Sequence, residues 1–182
     1  MVKMVIGLGN YMVNKKSYGP DDVKINRNVK VPLYPFVHMF EGFDKVGAVR
    51  KLFGSRTKTV LSRLKVMVFA GSWGYLWIDD KTKSIVCNIN YIKSADRRYV
   101  YLDVIHELVH IRQSFEGKNL FDDRYEYVDS PTEIEAYKVC VEEAERIGMK
   151  KSEIIEYLKV DWVDNNDFKR LLKVVGLVTE RD

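Results

Sequence analysis

The run His106 to Gln113, HELVHIRQ, decides how the rest of the chain is read. It lies in a stretch where Tyr101, Leu102, Ile105, Leu108, Val109, Ile111 and Phe115 recur at helical spacing, and Gly117 follows as a stop. On a helix, positions i and i+4 share one face, so His106 and His110 can each direct a ring nitrogen at one ion. Glu107 sits beside them, placed to take a proton from a water rather than to bind the ion. Random placement of 3 His and 12 Glu in 182 residues gives about 0.003 occurrences of H-E-x-x-H. The pattern is therefore read as a metal site, in preference to an amphipathic helix with two packed histidines.

A metal site needs a third ligand. No histidine follows His110, which excludes the three-histidine motifs. His38 falls in an early aromatic cluster with Tyr34, Phe36, Phe40 and Phe43 and reads as a packed or surface histidine. Carboxylates remain, and PTEIEAYKV (131–139) offers two, Glu133 and Glu135. Ser130-Pro131-Thr132-Glu133 also reads as a helix start with a capping box, in which Glu133 would turn back to the N-cap amide.

Other residues are candidates for supporting roles. Asp103, one turn before His106, can orient a ring N–H or simply be a solvated helix carboxylate. Tyr137, one turn after Glu133, is the first choice for a phenol that donates to a developing oxyanion, with Tyr125 and Tyr127 as alternatives. Arg112 and Gln113 are read as holding the loop after the helix.

The surrounding pattern predicts an α+β fold. Apolar residues from Asp44 to Leu64 recur at helical spacing, broken at Gly54-Ser55. The period then changes: KVMVFA (65–70), YLWID (75–79) and SIVCNINYI (84–92), separated by the turn clusters GSWG and DDKTK, predict a three-stranded antiparallel meander. Ser94 is the expected N-cap of the histidine helix. SEIIEYL (152–158) and DFKRLLKVV (167–175) predict two shorter helices flanking the glutamate helix, with Trp162 as a packing anchor. The first forty residues are turn-rich, and VKMVIGLGN (2–10) reads as a strand ending in a turn rather than a phosphate loop. The expected organisation is a basic N-terminal extension with one or two helices (1–64), a core in which a small sheet packs on the active-site and glutamate helices (65–148), and a C-terminal helical pair (149–182).

Composition narrows the setting. Residues 1–65 hold 13 Lys/Arg against 4 Asp/Glu, a net of +9, and residues 66–182 hold 17 against 22, a net of −5. The basic half is read as a solvated face ahead of a nucleic-acid site, because no nucleic-acid motif accompanies it. Cys87 and Cys140, far apart and in apolar runs, suggest reduced thiols and a cytoplasmic location. No run approaches the ~18 apolar residues of a membrane span, and the N-terminus lacks the shape of a signal peptide.

HELVH followed by Glu133-Ile134-Glu135-Ala136 near the start of another helix resembles the gluzincin metallopeptidases, in which a glutamate on a second helix completes a zinc site. The E-x-x-A-D form of that second motif occurs in CAAX prenyl-protease-like membrane peptidases, and this chain has Tyr137 where that form has Asp. The chain is most similar to the minigluzincins, small archaeal proteins, over roughly residues 65–148. The resemblance implies one Zn2+ held by His106, His110 and Glu133, Glu107 as general base, and a peptide or protein substrate. It also implies that the strand nearest the metal pairs with an extended substrate, a role that falls on SIVCNINYI with Asn88 and Asn90. The alternative is a catalytically silent scaffold whose basic N-terminal part binds a partner or nucleic acid.

Overall fold

The computed structural model describes residues 18–178, so the strand expected at 2–10 lies outside the described residues. The elements run β1 (Lys24–Ile25), β2 (Leu33–Pro35), a short helical turn α1 (Phe36–Met39), β3 (Phe40–Glu41), α2 (Gly47–Phe53) and α3 (Thr57–Arg63). They continue through β4 (Lys65–Phe69), β5 (Leu76–Asp79), β6 (Ser84–Asn88), α4 (Ile89–Ser94), α5 (Arg97–Phe115), α6 (Pro131–Arg146), α7 (Lys151–Leu158) and α8 (Asn165–Val174). The fold is α+β, as expected.

The sheet differs from the expected meander. It has four strands in the order β2-β4-β6-β5, and it is mixed. β2 pairs antiparallel with β4, β4 runs parallel to β6 from Val66 opposite Ile85, and β5 is antiparallel to β6 from Leu76 opposite Cys87. The last strand has thus moved inside. Every residue of Ser84-Ile-Val-Cys-Asn88 is buried, whereas β4 and β5 are partly exposed along their length. A strand buried on both faces gains most when its backbone is also paired on both edges. Two consecutive strands therefore flank it instead of lying side by side.

The run SIVCNINYI also divides. Its strand ends at Asn88, whose side chain accepts from the Asn90 amide and caps α4. The cap of α5 is Asp96, accepting from Arg98 N at 2.7 Å, and not Ser94, whose hydroxyl turns back to Asn90 O. Gly117, at φ 76°, ends α5 as the sequence suggests.

Residues ahead of β4 are built into the core beside α5. Phe36, Met39, Phe40 and Phe43 are fully buried, and the Phe43 ring lies 5.5 Å from that of Tyr101 on α5. Arg97 of α5 reaches back to Pro20 O at 2.7 Å. His38 is exposed. Cys87 and Cys140 are buried free thiols, and no helix among the described residues is long and apolar enough to cross a membrane.

Phe43 joins the early aromatic cluster to α5, so Phe43→Ala should cost about 3–5 kcal/mol of stability in chemical denaturation. A loss below about 1 kcal/mol would mean that this cluster is not part of the cooperative core.

Candidate metal centre

The centre is made where α5 and α6 pack. On α6, Ala136, Cys140 and Ala144 recur every fourth residue and are fully buried, a small-residue face that lets the helix come close. The Cys140 thiol lies 3.4 Å from Leu102 O on α5. At the start of α6, Glu133 faces the histidines: one carboxylate oxygen is 3.2 Å from His106 Nε2, the other 3.2 Å from His110 Nε2. The two Nε2 atoms are 3.0 Å apart.

These separations fit a small ion. Four ligands at zinc-like distances of 2.0–2.1 Å lie about 3.3 Å from one another at the corners of a tetrahedron. His106, His110 and Glu133 form a group that can hold one metal ion. The electrostatics agree. Burial works against charge on Glu133, but the two imidazoles hold it ionised, well below the ordinary carboxylate range. Burial also opposes charge on His110, yet Glu133 and Glu107 outweigh it and lift its pKa to about 9. Burial lowers the pKa of His106, so that ring stays neutral with a lone pair to give, and an ionised carboxylate beside two imidazoles makes a cation site.

The structure sets the two glutamates apart and leaves the expected capping box unformed. Ser130 is the N-cap of α6 but makes no side-chain cap bond; its hydroxyl pairs with that of Thr132 at 2.9 Å. Glu133 is thereby free for the histidines. Glu135 points to another group: Arg112 at 2.6 Å, Gln113 at 2.7 Å and Lys118 at 2.8 Å. Burial would raise its pKa, but these donors lower it to about 2.

Gln113 does more than hold a loop. It is fully buried, and its amide nitrogen donates to Thr132 O at 2.9 Å and to Glu135. Both partners are acceptors, so the amide oxygen must face His110 Nδ1, 2.8 Å away. Nδ1 then carries the ring proton, which leaves the Nε2 lone pair for an ion. One side chain thus fixes the tautomer of a ligand and ties α5 to the first turn of α6.

Glu107 is buried beside the triad, and one of its carboxylate oxygens has no hydrogen-bond partner. Burial pushes its pKa up to about 8, against the pull of His110. Glu107 lines the same cavity as the triad, and a carboxylate short of partners there is suited to a water or a substrate proton.

The other expected residues fall differently. Asp103 accepts from the phenols of Tyr91 and Tyr157, and no bond to a histidine ring is among its hydrogen bonds. Tyr137 packs edge-on against His106, ring centres 4.7 Å apart, and its hydroxyl is shared with Tyr127 at 2.7 Å. Of the two phenols, Tyr127 lines the cavity beside the triad. Tyr125 is exposed. Asn88 donates to Gly71 O, Trp73 O and Gly74 O, and Asn90 to Gly71 O. The asparagine amides therefore fasten the 71–74 loop. β6 itself lies between β4 and β5 and has no free edge for a substrate; the strand beside the triad is β5.

β5 and the loop before it form one wall of a cavity of about 450 Å³ that opens on His106, Glu107, His110 and Glu133. Trp73 and Trp77 stack at 5.7 Å, and Gly74, at φ 77°, keeps that wall tight: a Cβ there would meet the Trp77 ring at 3.1 Å. Phe121 and Trp162 complete the rim. Trp162 is 56% exposed, with its ring 5.6 Å from Tyr75 and 6.2 Å from Tyr127. It is an aromatic rim of the cleft rather than the packing anchor expected from sequence.

No protein-family model matches the chain, and no curated protein or solved structure shows significant similarity to it.

Because Gln113 orients His110, Gln113→Leu should weaken metal binding about 10–100-fold in a competition titration against a chelator, with the circular dichroism spectrum retained. Unchanged affinity would show that His110 needs no such support.

Proposed function

We propose that this chain is a zinc-dependent peptide-bond hydrolase with His106, His110 and Glu133 as ligands. The observation that carries the reading is the meeting of this triad with Glu107, a carboxylate short of hydrogen-bond partners, in a cleft edged by a β-strand. Zinc suits two imidazoles and a carboxylate, and when bound there it would polarise a carbonyl and make an adjacent water acidic at neutral pH.

The protein's own groups divide the remaining work. The β5 backbone, on the outer edge of the sheet, can bond an extended peptide main chain and lay its carbonyl across the triad. Glu107 takes the proton of the attacking water and passes it to the leaving amine, a task suited to a carboxylate whose pKa lies near neutrality. The Tyr127 phenol, held by Tyr137, donates to the oxygen on which negative charge develops. The aromatic rim removes water from around these groups.

The support for hydrolysis over a silent scaffold is Glu107. Burying a carboxylate without a full set of partners destabilises a fold, and a scaffold gains nothing from it. Glu107→Gln should therefore keep zinc and stability while lowering hydrolysis of a peptide library at least about 100-fold. Equal turnover by the variant would remove Glu107 from the mechanism. Tyr127→Phe should lower kcat about 10²-fold or more with little change in KM, and a change in KM alone would make Tyr127 a binding group only.

A further inference from the structure

Adjoining the cavity at the triad, and sharing Glu107 with it, lies a smaller recess of about 70 Å³. It shares His106 and Glu107 with the metal centre, and Asp103, Tyr127, Tyr137 and Tyr157 complete the part that matters here. Asp103 stands one helical turn before His106 on α5, half-buried, with its open side toward this recess. Its two oxygens accept from Tyr91 and from Tyr157, the latter at 3.1 Å. Both partners are neutral phenols.

The charge of Asp103 is left over. Among the described residues no lysine, arginine or histidine forms an ion pair with it, and burial raises its pKa to about 6 in spite of the two phenols. Asp103 and Glu107 both line this small space, and two carboxylates there favour a positive charge that arrives with the ligand. The walls suit a compact cation: tyrosines line them, and the volume admits an ammonium with its neighbouring methylenes rather than another aromatic ring.

We propose that this recess is a subsite for a primary ammonium group of the substrate, held by Asp103 next to the bond that is cut. The inference rests on the peptide-hydrolase reading for its substrate but not for its binding chemistry. Two sources supply such a group: the free α-amine of a peptide, which would make the chain an aminopeptidase, and the side chain of a lysine beside the scissile bond. Asp103 is here a specificity-determining residue that touches neither the metal nor the reacting carbonyl.

The test uses the full chain, with zinc, and three small probes followed by NMR titration. Nα-acetyl-lysine amide carries only the side-chain ammonium, norleucine amide only the α-ammonium, and Nα-acetyl-norleucine amide neither. At least one ammonium probe should bind about tenfold or more tightly than the neutral one, with shifts at residues of the recess, and Asp103→Asn should abolish the difference. Which probe wins identifies the source. Equal affinity of all three, including no measurable binding by any, overturns the proposal, as does a preference that survives Asp103→Asn. The comparison on the unaltered chain stands even if the variant fails to fold. If the ammonium preference holds and no peptide is cleaved, the hydrolase reading fails and the subsite remains; if neutral and ammonium peptides are cleaved alike, the reverse follows.

Discussion

The contact on which the site depends is the reach of one carboxylate, Glu133, across the α5–α6 interface to two imidazoles. It requires the helices to come close, which the buried Ala136, Cys140 and Ala144 allow, and it requires both rings to present the same nitrogen. Three charged or chargeable groups are thereby taken out of water. Such a cluster is costly unless something of opposite charge completes it, and replacing it with apolar side chains would be the simpler way to pack two helices. Its presence is best understood as preparation for a cation. Gln113 shows the same preparation one step further out, since its amide meets three partners on two helices and fixes the orientation of His110.

The cleft follows from the sheet. A fully buried β6 drives β5 to the outer edge, and β5 then stands beside α5 with its preceding loop pinned by Asn88. The aromatic side chains of that loop and of Trp162 could not pack inside a core already filled by Phe36, Phe40, Phe43 and Tyr101. They border the metal centre instead, where exposed rings serve binding. Packing of one strand thus sets the shape of a cavity on the far side of its neighbour.

What could be read from sequence was what is local. The two histidines and Glu107 lie within one helical turn, so their spacing placed them, whereas the residues alone left Glu133 and Glu135 open and only a family resemblance favoured Glu133. Gln113 could not be read this way, because its partners come from α5 and from two positions on α6. Strand order is non-local as well, although the unbroken burial of SIVCN was foreshadowed by its lack of alternation, a mark of an inner strand. The Asn-x-Asn of SIVCNINYI held a helix cap that its β-rich neighbours concealed. Trp162 stands among Lys, Asp and Asn in KVDWVDNND, a polar setting that already argued against a buried anchor.

The account stands on whether the three residues bind metal together. Zinc content of the purified chain after equilibration with a slight excess of the ion, for the unaltered protein, Glu133→Ala and Glu135→Ala, tests this directly. The prediction is about one equivalent for the unaltered chain and for Glu135→Ala, and a large loss for Glu133→Ala. Less than about a tenth of an equivalent in the unaltered chain, or no change in Glu133→Ala, would contradict it.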